Sequence, residues 1–337
     1  MAFARSAQVS AKRALATLSS VCFAVFFSLA LCLPAKTQSW PTKPVKIVIP
    51  YPAGGGVDTL GREIASGLQA SLGQAVYVEN RPGAATAVGA LQVAKSEPDG
   101  HTILLTSDST ISINPFVFSK LSYDPEKDLT PVTNVVTMYF LLTAHPTVKA
   151  NSLPDLIEMA RKNPGKFSYA SYGVGSQPQL VMEMLKAEAH IDILHVPYKG
   201  GPESVQAAIA GNVDLALSNL PTAQNNISAG LLKAIAIGSA QRSKLVPDVP
   251  TFAELGYPDV GAYAWYGLFV PAGVPRDVVA RIHREVHKIV DEPQFKQRQI
   301  AKGYEVLANS PEDFAGYLKV ERGNRKKAVQ ITGIKID

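Results

Sequence analysis

The stretch from Pro50 to Glu63, PYPAGGGVDTLGRE, decides the fold of this chain. A short apolar run, Val45 to Ile49, precedes it and reads as a buried strand. Val57, Leu60, Ile64, Leu68 and Leu72 follow at helical spacing. The stretch is therefore the turn between a strand and a helix. Gly54, Gly55 and Gly56 remove the β-carbons where the chain reverses, so backbone N–H groups can point into the space above the helix amino end. First-turn amides have no intrahelical acceptor and carry the positive end of the helix dipole, which suits a carboxylate or phosphate without an arginine. A tight turn with Asp58 as a helix cap is the plainer reading of the same residues. No Gly-Lys-Ser/Thr follows, and the spacing of a dinucleotide fingerprint is absent.

Upstream, residues 1–39 carry Arg5, Lys12 and Arg13, then an uncharged run from Ala14 to Leu33, then a polar stretch up to Trp40. This is the layout of a cleaved secretory signal peptide, with Ala35, or Thr37 and Ser39, as small residues for cleavage. A single membrane anchor is the competing reading. A lipoprotein signal is disfavoured because Leu31 precedes Cys32 where a small residue is needed. Both cysteines, Cys22 and Cys32, lie in this segment, so the mature chain would hold no disulfide, no thiolate metal site and no cysteine nucleophile. The same segment carries four basic residues and no acid, so the formal charge of +5 falls to +1 on its removal. With no basic stripe elsewhere, a nucleic-acid partner is not expected.

The remaining length, about 300 residues, suffices for two cores of ordinary size. Short apolar runs at Val45–Ile49, Ala75–Glu79 and His101–Thr106 alternate with helical patterns. A second set follows at Phe140–Ala144, Phe167–Ser171, Leu194–Val196, Asp214–Ser218 and Leu232–Ile237, with helices expected near Leu153–Lys162, Gln179–Ala189, Glu203–Gly211 and Thr222–Ala229. The alternation predicts an α/β fold of mostly parallel sheets flanked by helices. The turns after the strands are small, hydroxylated or glycine-rich: NRPGAAT from Asn80, SDST from Ser107, YGVGSQ from Tyr172 and PYKGG from Pro197. Ligands of open α/β sheets bind at the carboxyl ends of the strands, so these turns predict a polar pocket walled by amides and hydroxyls.

Catalytic groups are sparse. None of the six histidines sits in a nucleophile or metal motif. His283 and His287 are four apart on a helical pattern, but Arg284 stands where a zinc hydrolase needs glutamate, so a solvated helix face is the better reading. His195 could line the pocket or simply end a strand. No Gly-x-Ser-x-Gly elbow is present, no catalytic residue is assigned, and neither a metal nor a cofactor is expected.

PYPAGGGVD with Arg62, NRPGA, DGHTILL, INP at Ile113–Pro115, GVGS, HVPYKGG, VDLALSNLPTAQNNISAG and SAQRSKLVPDVPTFAELGYP occur in this order. Together they resemble the Bug-type solute receptors of tripartite tricarboxylate transporters over essentially the whole mature chain. The resemblance implies a periplasmic, two-lobed, type II Venus-flytrap binding protein, monomeric, that delivers a small carboxylate to integral-membrane permease subunits. Its first lobe would comprise residues 40–141 and 265–337, its second 142–264. Carried over, the ligand contacts would be Tyr51, Ala53, Gly54, Gly55, Asp58, Ser107 and Thr110 in the first lobe, and Gly173, Gly175, Ser176 and Tyr198 in the second. Three positions depart from the family pattern: Tyr51 for the frequent Phe, GAATA without extra glycines, and Gln179 for a frequent His.

The crossings between lobes are expected near Tyr139–Pro146 and Ala264–Pro271, with Trp265 and Tyr266 either at the cleft or in the core, and the tail from Arg276 packed on the first lobe. Two other functions stay open. An α/β enzyme would have to use Asp58, Asp108, His195 or Lys199, and a carboxylate sensor would serve a regulatory partner instead of uptake. No arginine or lysine is placed for a second carboxylate, which leans against citrate-like tricarboxylates, and Tyr51, Tyr172, Tyr198 and Trp265 leave room for an aromatic or amide-bearing acid.

Overall fold

The computed structural model describes residues 40–336; the expected signal peptide lies outside them. The first βαβ units follow directly from the sequence pattern. Strand β1 (Val45–Ile49) leads into helix α1 (Gly56–Leu72), and β2 (Val76–Asn80), α2 (Ala87–Ala94) and β3 (Thr102–Ser107) follow. β1 pairs in parallel with β2, Val45 opposite Val76, and with β3, Lys46 opposite Thr102. Val45, Ile47, Val48 and Ile49 are fully buried, as expected of a parallel strand covered on both faces. Residues 109–113 and the short helix α3 (Asn114–Val117) take the chain away from β3.

Strand β4 (Leu129–Ala144) organises the rest. Its first part pairs antiparallel with β9 (Tyr263–Pro271), from Leu129 opposite Pro271 to Tyr139 opposite Tyr263, and with β10 (Tyr304–Val306) at Val136–Met138. Its last part, Phe140–Ala144, pairs antiparallel with β7 (Leu215–Asn219) and β8 (Lys233–Ile237). β9 also pairs antiparallel with β3, Leu104 opposite Phe269. The second sheet is completed by β5 (Ser168–Ser171), parallel to both β6 (Leu194–Pro197) and β7. One continuous strand thus changes sheets at Tyr139–Phe140, giving two lobes, each with parallel strands at its outer side and antiparallel strands next to the crossing.

Helix α4 (Leu153–Lys162) is capped by Ser152, whose side chain accepts from the Asp155 amide, and buries Leu153, Leu156, Ile157 and Ala160. α5 (Gln177–Ala189), α6 (Gly201–Ile209) and α7 (Leu220–Ser228) alternate with the second-lobe strands. The tail forms α8 (Arg276–Asp291), α9 (Pro293–Ala301) and α10 (Pro311–Thr332). α8 buries Val278, Val279, Ile282, Val286, Ile289 and Val290 and packs against α1 in the first lobe. α10 reaches further than expected, packing on β4, on residues 109–113 and on α5 of the second lobe. Leu180, Met184, Ala328, Val329 and Ile113 share one apolar cluster there.

The return from the second lobe runs through Gly261–Tyr263: the Phe140 amide donates to the Ala262 carbonyl, and β9 is paired within the first sheet from its first residue. Ala264–Pro271 is accordingly a first-lobe strand. Trp265 is fully buried among Phe269, Phe314 and Leu318, so of its two expected settings it takes the core.

Candidate functional site

The glycine turn is braced from inside. The Gly54 amide donates to Asp58 Oδ2 at 2.9 Å, Arg62 Nε donates to the same oxygen at 3.0 Å, and Asn80 Nδ2 donates to Asp58 Oδ1 at 3.0 Å. Burial pushes the Asp58 carboxyl up, but the Arg62, Gly54 and Asn80 bonds outweigh it and hold it below its ordinary range. Asn80 Nδ2 also reaches the Tyr51 carbonyl at 3.1 Å. Asp58 is therefore committed to shaping the turn, while Ala53 and Gly54 are exposed and Gly55 half-buried at the open amino end of α1.

On the neighbouring turn, the hydroxyls of Tyr51 and Ser107 are 2.7 Å apart, and the Ser109 amide donates to Ser107 Oγ at 3.2 Å. Thr110, expected as a ligand contact, is fully buried. Its hydroxyl lies 2.7 Å from that of Thr86 and 2.5 Å from that of Thr106, so it supports the wall without lining it. The turn Arg81–Ala87 is unusual. Ala84, Ala85 and Thr86 have φ of 45°, 45° and 79°, a left-handed run that contains no glycine. Asn114 Nδ2 holds it by donating to the Ala85 carbonyl at 2.7 Å and to Thr86 Oγ1 at 3.2 Å.

In the second lobe the Gly173 amide donates to Ser171 Oγ at 3.1 Å, and Ser176 Oγ donates to the Gly173 carbonyl at 2.6 Å. The Tyr198 amide donates to the Ser171 carbonyl at 3.1 Å, joining the two loops. Gly175 is buried, its amide donates to Gln179 Oε1 at 2.7 Å, and an added β-carbon would meet Ile336 at 2.4 Å. Gly175 is thus a packing position, and Gln179 serves its own loop. Tyr172 Oη accepts from the Asn219 amide at 3.1 Å, and its ring meets Phe140 edge-on at 6.0 Å.

The structure adds Tyr304, which the sequence reading passed over, and sets Tyr266, expected at the cleft or in the core, beside it. Tyr266 on β9 and Tyr304 on β10 pack edge-on at 6.3 Å. Burial lifts the Tyr266 phenol well above its ordinary range, and Tyr304, Tyr51, Tyr172 and Asp108 add to the rise. Strand-end composition could not reveal Tyr304, which arrives from a three-residue strand between two tail helices.

Behind Ser107 lies a buried charge cluster. Asp108, Glu321 and Arg325 are 0%, 2% and 5% exposed. Arg325 Nε donates to Glu321 Oε1 at 2.9 Å, and its Nη2 stands 3.5 Å from Asp108 Oδ2, a distance at which the Asp108 oxygens form an ion pair without a formed hydrogen bond. Two carboxylates face one guanidinium. Burial raises the Asp108 carboxyl to about 7 against the opposing pull of Arg325, and Glu321 adds to the rise. Arg325 also donates to the carbonyls of Gly261 and Tyr263, at 3.5 and 3.3 Å. Gln177, next to Ser176, donates to the same two carbonyls at 3.1 and 2.8 Å. The return crossing is held from both lobes.

Groups suited to catalysis are otherwise engaged. His195 Nε2 lies 2.6 Å from Ser171 Oγ and its ring stacks on Tyr169, but Ser171 is fully buried. His283 Nε2 bonds the Asn309 carbonyl at 3.1 Å, so only part of that helix face is solvated. Among the described residues no cluster of His, Cys, Asp or Glu is placed to hold a metal, and no helix is long and apolar enough to cross a membrane. A concave surface lined by Lys43, Lys46, Tyr77, Asp99 and His101 lies at the amino ends of β1 and β3, away from these loops, and its lysines pair with Glu79, Glu97 and Asp99.

Two mixed sheets sharing a strand, with amide- and hydroxyl-rich loops at the strand ends, define a two-lobed solute-binding protein. A family model for the tripartite tricarboxylate transporter family receptor matches residues 60–334, and the chain belongs to that family. Protein BugT of Bordetella pertussis is 32% identical over 314 residues, 93% of this chain and 96% of the relative. Among solved structures, R. palustris Rpa4515 with adipate superimposes with a TM-score of 0.82 at 30% identity, over 88% of this chain and 99% of that one. MatC from Rhodopseudomonas palustris with bound malate gives 0.79 at 30% identity, over 86% and 100%.

Proposed function

We propose that this receptor captures a small carboxylate in the cleft between its lobes, residues 40–141 with 265–337 and residues 142–264, and delivers it to membrane permease subunits. The observation that carries the reading is the braced glycine turn. Asp58 and Asn80 fix its shape, leaving the amino end of α1 open beside Tyr51 and Ser107. Preoriented amides and hydroxyls hold an anion reversibly through several charge-assisted hydrogen bonds, and no nucleophile is needed. Loops around Gly173, Ser176 and Tyr198 supply the second set of contacts when the lobes close, so ligand binding shifts an open–closed equilibrium that a permease can read. The relatives with adipate and malate support the ligand class. Export through a cleaved segment within residues 1–39 fits a periplasmic receptor acting as a monomer. The enzyme reading loses three of its four groups, because Asp58, Asp108 and His195 are committed inside the fold, and keeps only the exposed Lys199.

The test is a thermal-shift screen of the ligand-stripped protein against mono-, di-, tri- and aromatic carboxylates. A ligand at a hundredfold its dissociation constant adds about 2.7 kcal/mol of stability, a shift of several degrees. Gly55 has φ −78°, which proline adopts, so Gly55→Pro removes one amide donor at the site. The shift is expected to shrink in this variant; a shift given only by neutral compounds or phosphates would refute the carboxylate reading.

A further inference from the structure

Tyr304 opens β10, is only 4% exposed, and its hydroxyl meets no hydrogen-bonding partner among the described residues. Its position is fixed by Gly56, the first residue of α1: a β-carbon there would lie 2.4 Å from Tyr304 Oη. The phenol therefore rests against the amino end of α1, beside the turn that Asp58 braces. The ring is buried while the hydroxyl oxygen stays accessible, so its hydrogen bond is free for water or for a ligand at this turn. Burial also pushes this phenol up to about 12, so it stays a neutral donor at physiological pH.

We propose that Tyr304 is a ligand-recognition residue, donating to the anion held at the α1 amino end, with Tyr266 and Tyr172 forming an aromatic wall for the rest of the ligand. The inference deepens the carboxylate reading and rests on it. The cations near these loops say what the wall accepts. Arg62 is engaged by Asp58 and Asn80, Arg81 by Glu79, and Arg325 by Glu321 and Asp108, which among the described residues leaves Lys199, exposed on the loop after β6. Apart from Lys199, a second or third carboxylate would meet neutral phenols and ring edges, with no free cation to offset its charge. The site is therefore matched to a monocarboxylate with an uncharged, preferably aromatic body.

Titration calorimetry of wild type and Tyr304→Phe with benzoate, adipate and citrate tests both parts. Wild type is expected to bind benzoate most tightly. Tyr304→Phe should weaken that binding about tenfold, the scale of one hydrogen bond to a charged group. Its unliganded melting temperature should be unchanged or higher, which separates lost recognition from lost folding. Equal affinity in wild type and variant overturns the role of Tyr304. Tighter binding of adipate or citrate than of benzoate overturns the ligand class. Absence of binding by all three overturns the proposal together with the carboxylate reading beneath it.

Discussion

Thr86 shows how much a single residue carries in this chain. A β-branched side chain at φ 79° is strained by about 1–2 kcal/mol, yet the position is buried and its hydroxyl joins Thr110 and Asn114. Thr86→Ala keeps the strained backbone and loses the bonds, so it should destabilise by about 1–3 kcal/mol in urea unfolding. Thr86→Gly loses the same bonds but relieves the backbone, and is expected to be the milder of the two; the reverse order would mean that the hydroxyl network does not hold this turn. Residue types at Tyr51, Gly54 and Ser107 were readable because their places after strands follow from the alternation of runs and turns. The inward roles of Thr110 and Gly175 were not, since besides near partners they depend on residues far away in sequence, here Thr86 for one and the packing of Ile336 for the other.

At the level of elements, α10 matters most, because it brings Glu321 and Arg325 to Asp108 at the end of β3. Asp108 titrates near 7 in the folded chain against an ordinary 3.8, chiefly through burial. Below pH 4 the group is protonated whether the chain is folded or not; between 4 and 7 only the unfolded chain ionises. Its contribution to stability is therefore complete at low pH, is lost as pH rises through 7, and is constant above. Asp108→Asn cannot ionise, so urea unfolding at pH 5 to 8 should show the variant gaining on wild type by at most about 1.4 kcal/mol per pH unit and levelling off above 7. A difference independent of pH would remove Asp108 from this role. The parallel strands and most helices were legible as apolar runs. β10 and the first part of β4 escaped notice, and β9 was expected only as a crossing: Pro131, Thr133 and Asn134 interrupt the run of β4, two register shifts spoil its alternation, and Thr133 and Asn134 are satisfied by Asn309 from far along the chain.

For the whole molecule, the family resemblance implied two lobes, whereas the way they are joined required coordinates. Lobes connected by loose linkers would melt separately. Here β4 has partners from both sheets and α10 packs on elements of both lobes, so calorimetry of residues 40–337 should give one transition with equal calorimetric and van't Hoff enthalpies. Two resolved transitions would show that the shared strand does not transmit cooperativity. The same strand bears on how receptors of this design diversify. A recombination event that exchanged one lobe would have to cut inside β4 at Tyr139–Phe140 and again ahead of β9, and would leave half-strands needing matched partners on either side. Small changes in the turns at the strand ends disturb none of that pairing. New ligands are therefore more readily reached by drift in those turns than by shuffling of lobes.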